Sequence, residues 1–209
     1  MKSEKVIVFD VDGTLFDTKV GIISAINQVL AEFGYQEICK NFEDRWIGPS
    51  IRDSFKQFAL MDAVMAEEAT LRYRDVYIES FILQSSMYDG LIDVLDFLYK
   101  KNFHLCIATM KTMKQILKLF SLFNLGHFFE NIQAAQDNGM LKKKDMLKSI
   151  REIYSDKFEF VMVGDTVSDF DAAKENRFDF VFANYGYGMT KPVGDFICIN
   201  SLMDIIKVF

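Results

Sequence analysis

The 209-residue chain is predicted to be α/β: a parallel sheet covered by helices on both faces, with a helical insertion after its first strand. Three observations predict this. Short apolar runs rich in β-branched or aromatic residues alternate with helical patterns, the signature of strand–helix–strand crossovers. The first run breaks that rhythm, because residues 17–85 after it carry helical patterning with no convincing strand. Half of the residues are hydrophobic and 14% are aromatic, which supplies a large core and argues against disorder.

Val6–Phe9 opens the sheet as a strand buried on both faces. The insertion begins with KVGIISAINQVLAEFG, where Ile22, Ile23, Ile26, Val29 and Leu30 share one helical face and Gly34 ends the helix. KNFEDRW, PSIRDSFKQFAL and MDAVMAEEATLRYRDVYIESF read as further helical pieces. The chain returns near Ser85–Tyr88, and Gly90–Lys101 forms a helix with Leu91, Val94, Leu95 and Leu98 inward. His104–Thr109 is the second buried strand, followed by a helix over Lys111–Phe123. Glu130–Ala135 is a weaker strand, and Lys144–Tyr154 a helix. Phe158–Asp165 is a strong strand, and Ser168–Asn176 the helix after it. Phe178–Gly186 and the weaker Phe196–Ile199 complete the strands before a last helix over Ser201–Val208. The division is residues 1–16 and 86–209 for the α/β part, and 17–85 for the insertion.

The formal net charge is -6, with no basic block to suggest nucleic acid as a partner. No run approaches the roughly 20 apolar residues of a membrane helix, and the N-terminal apolar run is too short for a secretory signal. Cys39, Cys106 and Cys198 lie far apart and outside metal-ligand spacing, which reads as reduced, mostly buried thiols and a cytoplasmic location. His104 and His127 stand apart and read as structural.

Ligands of such sheets bind beyond the carboxyl ends of the strands. There the sequence places Asp10, Asp12, Gly13 and Thr14 after the first strand. Thr109, Met110 and Lys111 follow the second. Asp165 and Asp169 follow the strand at Phe158, and the run Lys142-Lys143-Lys144 lies between the third and fourth strands. Crowded carboxylates repel one another unless a cation joins them. Oxygen ligands without histidine or cysteine select Mg2+. A hydroxyl, exposed turn amides and an ammonium suit phosphate. Together they describe a phosphoryl-transfer site for a small phosphorylated substrate. A calcium loop starting at Asp10 fails, because its fifth and twelfth positions hold Thr14 and Gly21.

This constellation resembles the haloacid dehalogenase (HAD) superfamily on its phosphatase side, along essentially the whole chain. FDVDGTLFD resembles the first motif, Thr109 the second, Lys143 in KKDML the third, and VGDTVSD the fourth. WIGPSIRDSF, YDG, ATMKT and ANYGYG resemble the phosphoglycolate-phosphatase-like subgroup with a small helical cap. The resemblance implies a Rossmann-like core with the insertion as cap domain. It implies Asp10 as nucleophile and Asp12 as acid and base. Mg2+ would be held by Asp10, Asp12 through its carbonyl, Asp165 and Asp169. Gly13, Thr109, Met110 and Lys143 would hold the phosphate. The third-motif lysine falls in a run of three, Lys142 to Lys144. Met110 departs from the asparagine frequent in relatives, which touches substrate class more than chemistry. Asp17 and Arg52 are candidate hinge or cap contacts. The implied activity is Mg2+-dependent hydrolysis of a phosphoglycolate-like metabolite by a monomer or homodimer. Inorganic pyrophosphatase, sugar-phosphate mutase and non-catalytic phosphate-binding protein stay open beside it. Dehalogenases lack the role of Asp12, which argues against dehalogenation.

Overall fold

The computed structural model describes residues 5–47, 50–136, 141–155, 157–188 and 190–209. Among the described residues eight strands form: β1 Lys5–Phe9, β2 Phe16–Asp17, β3 Ser86–Met87, β4 His104–Thr112, β5 Asn131–Ala135, β6 Glu159–Gly164, β7 Asp179–Ala183 and β8 Ile197–Ile199. The α-helices are α1 Lys19–Glu32, α2 Ile51–Phe58, α3 Ala63–Val76, α4 Leu91–Lys100, α5 Met113–Phe123, α6 Lys143–Tyr154, α7 Val167–Glu175 and α8 Ile205–Val208. Six strands make one sheet in the order β5-β4-β1-β6-β7-β8, parallel throughout, as the alternation of strands and helices predicts. β2 and β3 make a separate two-stranded sheet inside or beside the stretch expected to hold no strand.

The chain divides into two compact units. One comprises Met1–Asp17 with Met87–Phe209, and the other Thr18–Ser86. In the first unit, alternate residues of β1 serve opposite faces of the sheet. Val6 and Val8 join a buried cluster with Met146, Leu147 and Ile150 of α6 and Phe170 and Ala173 of α7. Ile7 and Phe9, equally buried, face the other way. Each fully buried side chain of this size is worth about 1.5–3 kcal/mol, so a charge at Val8 would break the sheet at its centre.

The second unit is helical. The inward residues of α1 are those its periodicity names: Ile22, Ile23, Ile26, Val29 and Leu30 are all buried. Gly34 follows the helix with φ of 78°, the left-handed conformation that glycine adopts without steric cost. Asp62 caps α3 by accepting from the Val64 and Met65 amides. KNFEDRW forms a 3-10 helix, and after Val76 the helix loosens into a π turn over Tyr77–Phe81. Gly48 and Pro49, both part of the WIGPSIRDSF resemblance and the second also the start of the helical piece expected there, lie outside the described residues.

Two boundaries differ from expectation where it matters for the site. The helix expected from Lys111 begins at Met113, because Thr112 and Gln115 form a reciprocal capping box that fixes its start. β4 therefore carries Lys111 at its end. The strand expected to reach Gly186 stops at Ala183, and a turn follows. Among the thiols only Cys106 is buried; Cys39 and Cys198 are exposed, and all three are free. Burial pushes the Cys106 thiol up to about 12. His104 is packed against Tyr154 and Phe158 and bonded through Nδ1 to Glu130 at 2.7 Å, a structural role. Among the described residues no helix is long and apolar enough to cross a membrane.

Candidate active site

Strand register brings distant acids together. Phe9 lies opposite Val163 of β6 and Ile107 of β4, so Asp10 and Asp165, each one or two residues on, emerge at the same end. The Asp10 amide still donates to Val163 at 2.9 Å, which pins the first residue beyond the strand. One oxygen each from Asp10, Asp165 and Asp169 lies within 4.8 Å of the others, and all three residues are buried. Asp169 stands in the first turn of α7. Its Oδ2 accepts from the Thr166 amide and hydroxyl at 3.0 and 2.7 Å, while the Thr166 hydroxyl caps the helix in return.

Lys143 is the lysine of the run that enters this group. It is the first residue of α6, buried, with Nζ 3.0 Å from Asp10 Oδ1 and 2.5 Å from Asp169 Oδ1. Lys144 points elsewhere, to Glu175 at 3.2 Å. Burial opposes charge on Lys143, but Asp10 and Asp169 more than offset it and hold its ammonium above the ordinary lysine range. Burial, reinforced by Asp169 and Asp12 and opposed by Lys143, pushes the Asp10 carboxyl up to about 7. Burial likewise raises Asp165 well above the usual carboxylate range, with Asp169 and Asp10 adding to it.

One ammonium facing three buried carboxylates leaves two negative charges uncompensated. Buried charge of that kind either takes up protons or takes up a cation. The donor set is all oxygen, so a hard divalent ion such as Mg2+ fits these residues. The carboxylate of Asp12 lies outside this grouping and pairs with Lys111 Nζ at 2.8 Å.

The remaining predicted residues divide. Thr109 is buried at the end of the central run of β4, and its Oγ1 accepts from the Lys111 amide at 3.3 Å. Gly13 has φ of 74°, and a Cβ there would overlap the Asp165 carboxylate, so only glycine lets this loop pass so close. Met110 directs its side chain toward the apolar cluster under α6 and α7. Arg52 belongs to the helical unit, where its Nε lies 3.0 Å from Glu67 Oε2.

Sequence reasoning placed Lys111 on the rim and quoted the turn after β7 as a subgroup likeness, but gave neither a specific role. Lys111 is buried, which its position two residues past Thr109 in an otherwise apolar strand could have flagged. The Tyr187 amide donates to Asp165 Oδ2 at 2.7 Å and its hydroxyl to Asp17 Oδ1 at 2.6 Å. The alternating Tyr-Gly-Tyr-Gly at a strand end was the available signal.

The chain is similar to known proteins along most of its length. The model of the family "Haloacid dehalogenase-like hydrolase" matches residues 7–183. The chain is 29% identical to the tyrosine-protein kinase PtkA of Mycobacterium tuberculosis over 90% of its own length, and spans 64% of that relative. It is 26% identical to a phosphoglycolate phosphatase of Aquifex aeolicus, covering 98% of this chain and 96% of that one. Among solved structures, a "predicted phosphatase" from Clostridium acetobutylicum superposes with a TM-score of 0.90 at 26% identity, over 99% of this chain and 98% of that chain.

Proposed function

The chain belongs to the haloacid dehalogenase-like hydrolase family, and on that premise we propose that it is a phosphatase. Its substrates are small phosphate monoesters of the phosphoglycolate class, hydrolysed through a phosphoryl group held transiently on Asp10. The observation that carries the reading is the buried triad of Asp10, Asp165 and Asp169 around the Lys143 ammonium. The likeness to a phosphoglycolate phosphatase supports the substrate class.

An oxygen of Asp10 attacks phosphorus, and the bond to the leaving oxygen breaks as Asp12 gives that oxygen a proton. Asp12 then takes a proton from a water, whose oxygen attacks the same phosphorus and releases Asp10. Lys111, 2.8 Å from Asp12, orients that carboxylate. Lys143, the Thr109 hydroxyl and the amides of Gly13 and Met110 hold the phosphate oxygens. Mg2+, when held by Asp10, Asp165, Asp169 and the Asp12 carbonyl, supplies positive charge against the phosphate. The presence of Asp12 speaks against dehalogenation. The helical unit Thr18–Ser86 serves as the cap that selects among phosphates.

Phosphate release from a panel of monoesters and pyrophosphate, with Mg2+ and with excess chelator, tests this. Metal-dependent release is expected, with phosphoglycolate among the best substrates. Pyrophosphate as the sole substrate would reassign the chain to a pyrophosphatase, and no release from any member would leave a phosphate-binding role. The likeness to a tyrosine kinase supports a second reading, in which a protein tyrosine takes the phosphoryl group in place of water. Incubation with ATP and a tyrosine peptide separates the two by where the phosphate ends.

A further inference from the structure

The turn Asn184–Gly188 is built around one carboxylate. The Tyr187 amide donates to Asp165 Oδ2 at 2.7 Å. A Cβ on Gly186 or Gly188 would overlap atoms of Asp165, so the chain passes as close to it as backbone can. The turn is anchored at points away from that carboxylate. The Tyr187 hydroxyl donates to Asp17 Oδ1 at 2.6 Å. The Tyr185 hydroxyl donates to the Thr14 carbonyl at 2.9 Å, and its ring meets Tyr88 edge-on at 4.8 Å. Burial, followed by the bond to Asp17, holds the Tyr187 hydroxyl far above the ordinary tyrosine range, so it stays a donor.

We propose that Tyr187 is a positioning residue for the cation site: anchored on Asp17, it fixes the turn whose amide orients Asp165 toward Asp10 and Asp169. The inference rests on the reading that Asp165 holds a cation, and gives Tyr187 and Asp17 a part in that site which the motif resemblance did not assign to them. A carboxylate free to rotate meets a metal with a geometric and entropic penalty; the Thr14 hydroxyl on Asp165 Oδ1 at 3.3 Å and the Tyr187 amide on Oδ2 at 2.7 Å each remove part of that penalty, the shorter bond more. Loss of such an outer partner costs ~10-fold or more in metal affinity. A tyrosine serving only the stability of its loop would lower the melting temperature and leave cation affinity alone.

The test is calorimetric titration of Mg2+ into metal-free wild type, Tyr187→Phe, Asp17→Ala and the double variant, with near-ultraviolet circular dichroism to confirm folding. Each single variant is expected to bind Mg2+ about 10-fold more weakly. The double variant should lose no more than either single, because both remove one shared hydrogen bond. In steady-state assays the half-saturating Mg2+ concentration should rise by the same factor while the ester KM at saturating Mg2+ holds. Unchanged Mg2+ affinity in folded Tyr187→Phe overturns the proposal, as do losses that add in the double variant. Should one variant fail to fold, the other still decides. A wild-type protein that takes up no Mg2+ overturns the cation reading, and the proposal with it.

Discussion

The ammonium of Lys143 lies 3.0 Å from Asp10 Oδ1 with both side chains buried. Two residues 133 positions apart in sequence therefore share one charge environment, and the lysine's contact is what keeps the Asp10 carboxyl from rising further. Its helix phase decides which lysine of the run does this, since Lys142 is the N-cap and Lys143 the first helical residue.

Lys143→Ala is accordingly expected to lower kcat by about 10²–10³, the usual loss for a donor aimed at developing charge. Lys144→Ala, which removes an exposed pair with Glu175, should leave kcat within about twofold. Steady-state kinetics of the two variants checks this. A larger loss in Lys144→Ala would move the phosphate contact to the neighbouring residue.

Asp10→Asn should fold and yet lose turnover by several orders of magnitude. The amide is nearly isosteric, but it is a poor nucleophile and carries no charge for a cation. Activity together with circular dichroism measures both. More than about a tenth of wild-type kcat would remove Asp10 from the nucleophile's role.

The metal-free protein should lose stability as pH rises. The Asp10 carboxyl ordinarily titrates near 3.8 and in the fold at about 7, so the native state holds a proton that the unfolded chain has released. The stabilisation is complete below about pH 4 and lost as pH climbs through about 7. Asp165, raised for the same first cause, acts with the same sign. Chemical denaturation at pH 5 and pH 8 measures this, and the difference should flatten when Mg2+ is added and shrink when Asp10 becomes Asn. A metal-free protein equally stable at both values would contradict the burial argument. Ca2+ should inhibit turnover, because its larger and more variable coordination shell would misplace phosphate against Asp10.

Much of this was legible in the sequence. β1 reads as a buried strand because Val6 to Phe9 are apolar on both faces, and Asp10 is notable because it follows them at once. Asp165 and Asp169 are legible for the same reason, one ending an apolar strand and the other a turn into the next helix. Lys143 was legible only as one of three, since identical neighbours differ by helix phase alone. Lys111 and Tyr187 take their meaning from partners far along the chain, Asp12 for one and Asp165 with Asp17 for the other. Local pattern carries no such information. The end of β4 was misplaced because Thr112 reads equally as strand residue or N-cap, and its bond with Gln115 settles which.

The helical unit should govern selectivity. Replacing Thr18–Ser86 by a short linker is expected to leave an α/β unit that binds Mg2+ and ranks small phosphates poorly. The ratio of kcat/KM across a metabolite panel, for folded intact and shortened proteins, reports it. An unchanged ranking would assign selectivity to the loops of the α/β unit instead.

The most direct measurement is a chemical trap of the covalent intermediate. The enzyme, turning over a phosphate monoester with Mg2+, is quenched and reduced with borohydride, which converts an acyl phosphate to an alcohol. Peptide mass spectrometry should then find homoserine in place of aspartate at position 10, and only in samples quenched during turnover. Trapped product at any other carboxylate, or active enzyme with none at Asp10, would contradict the account.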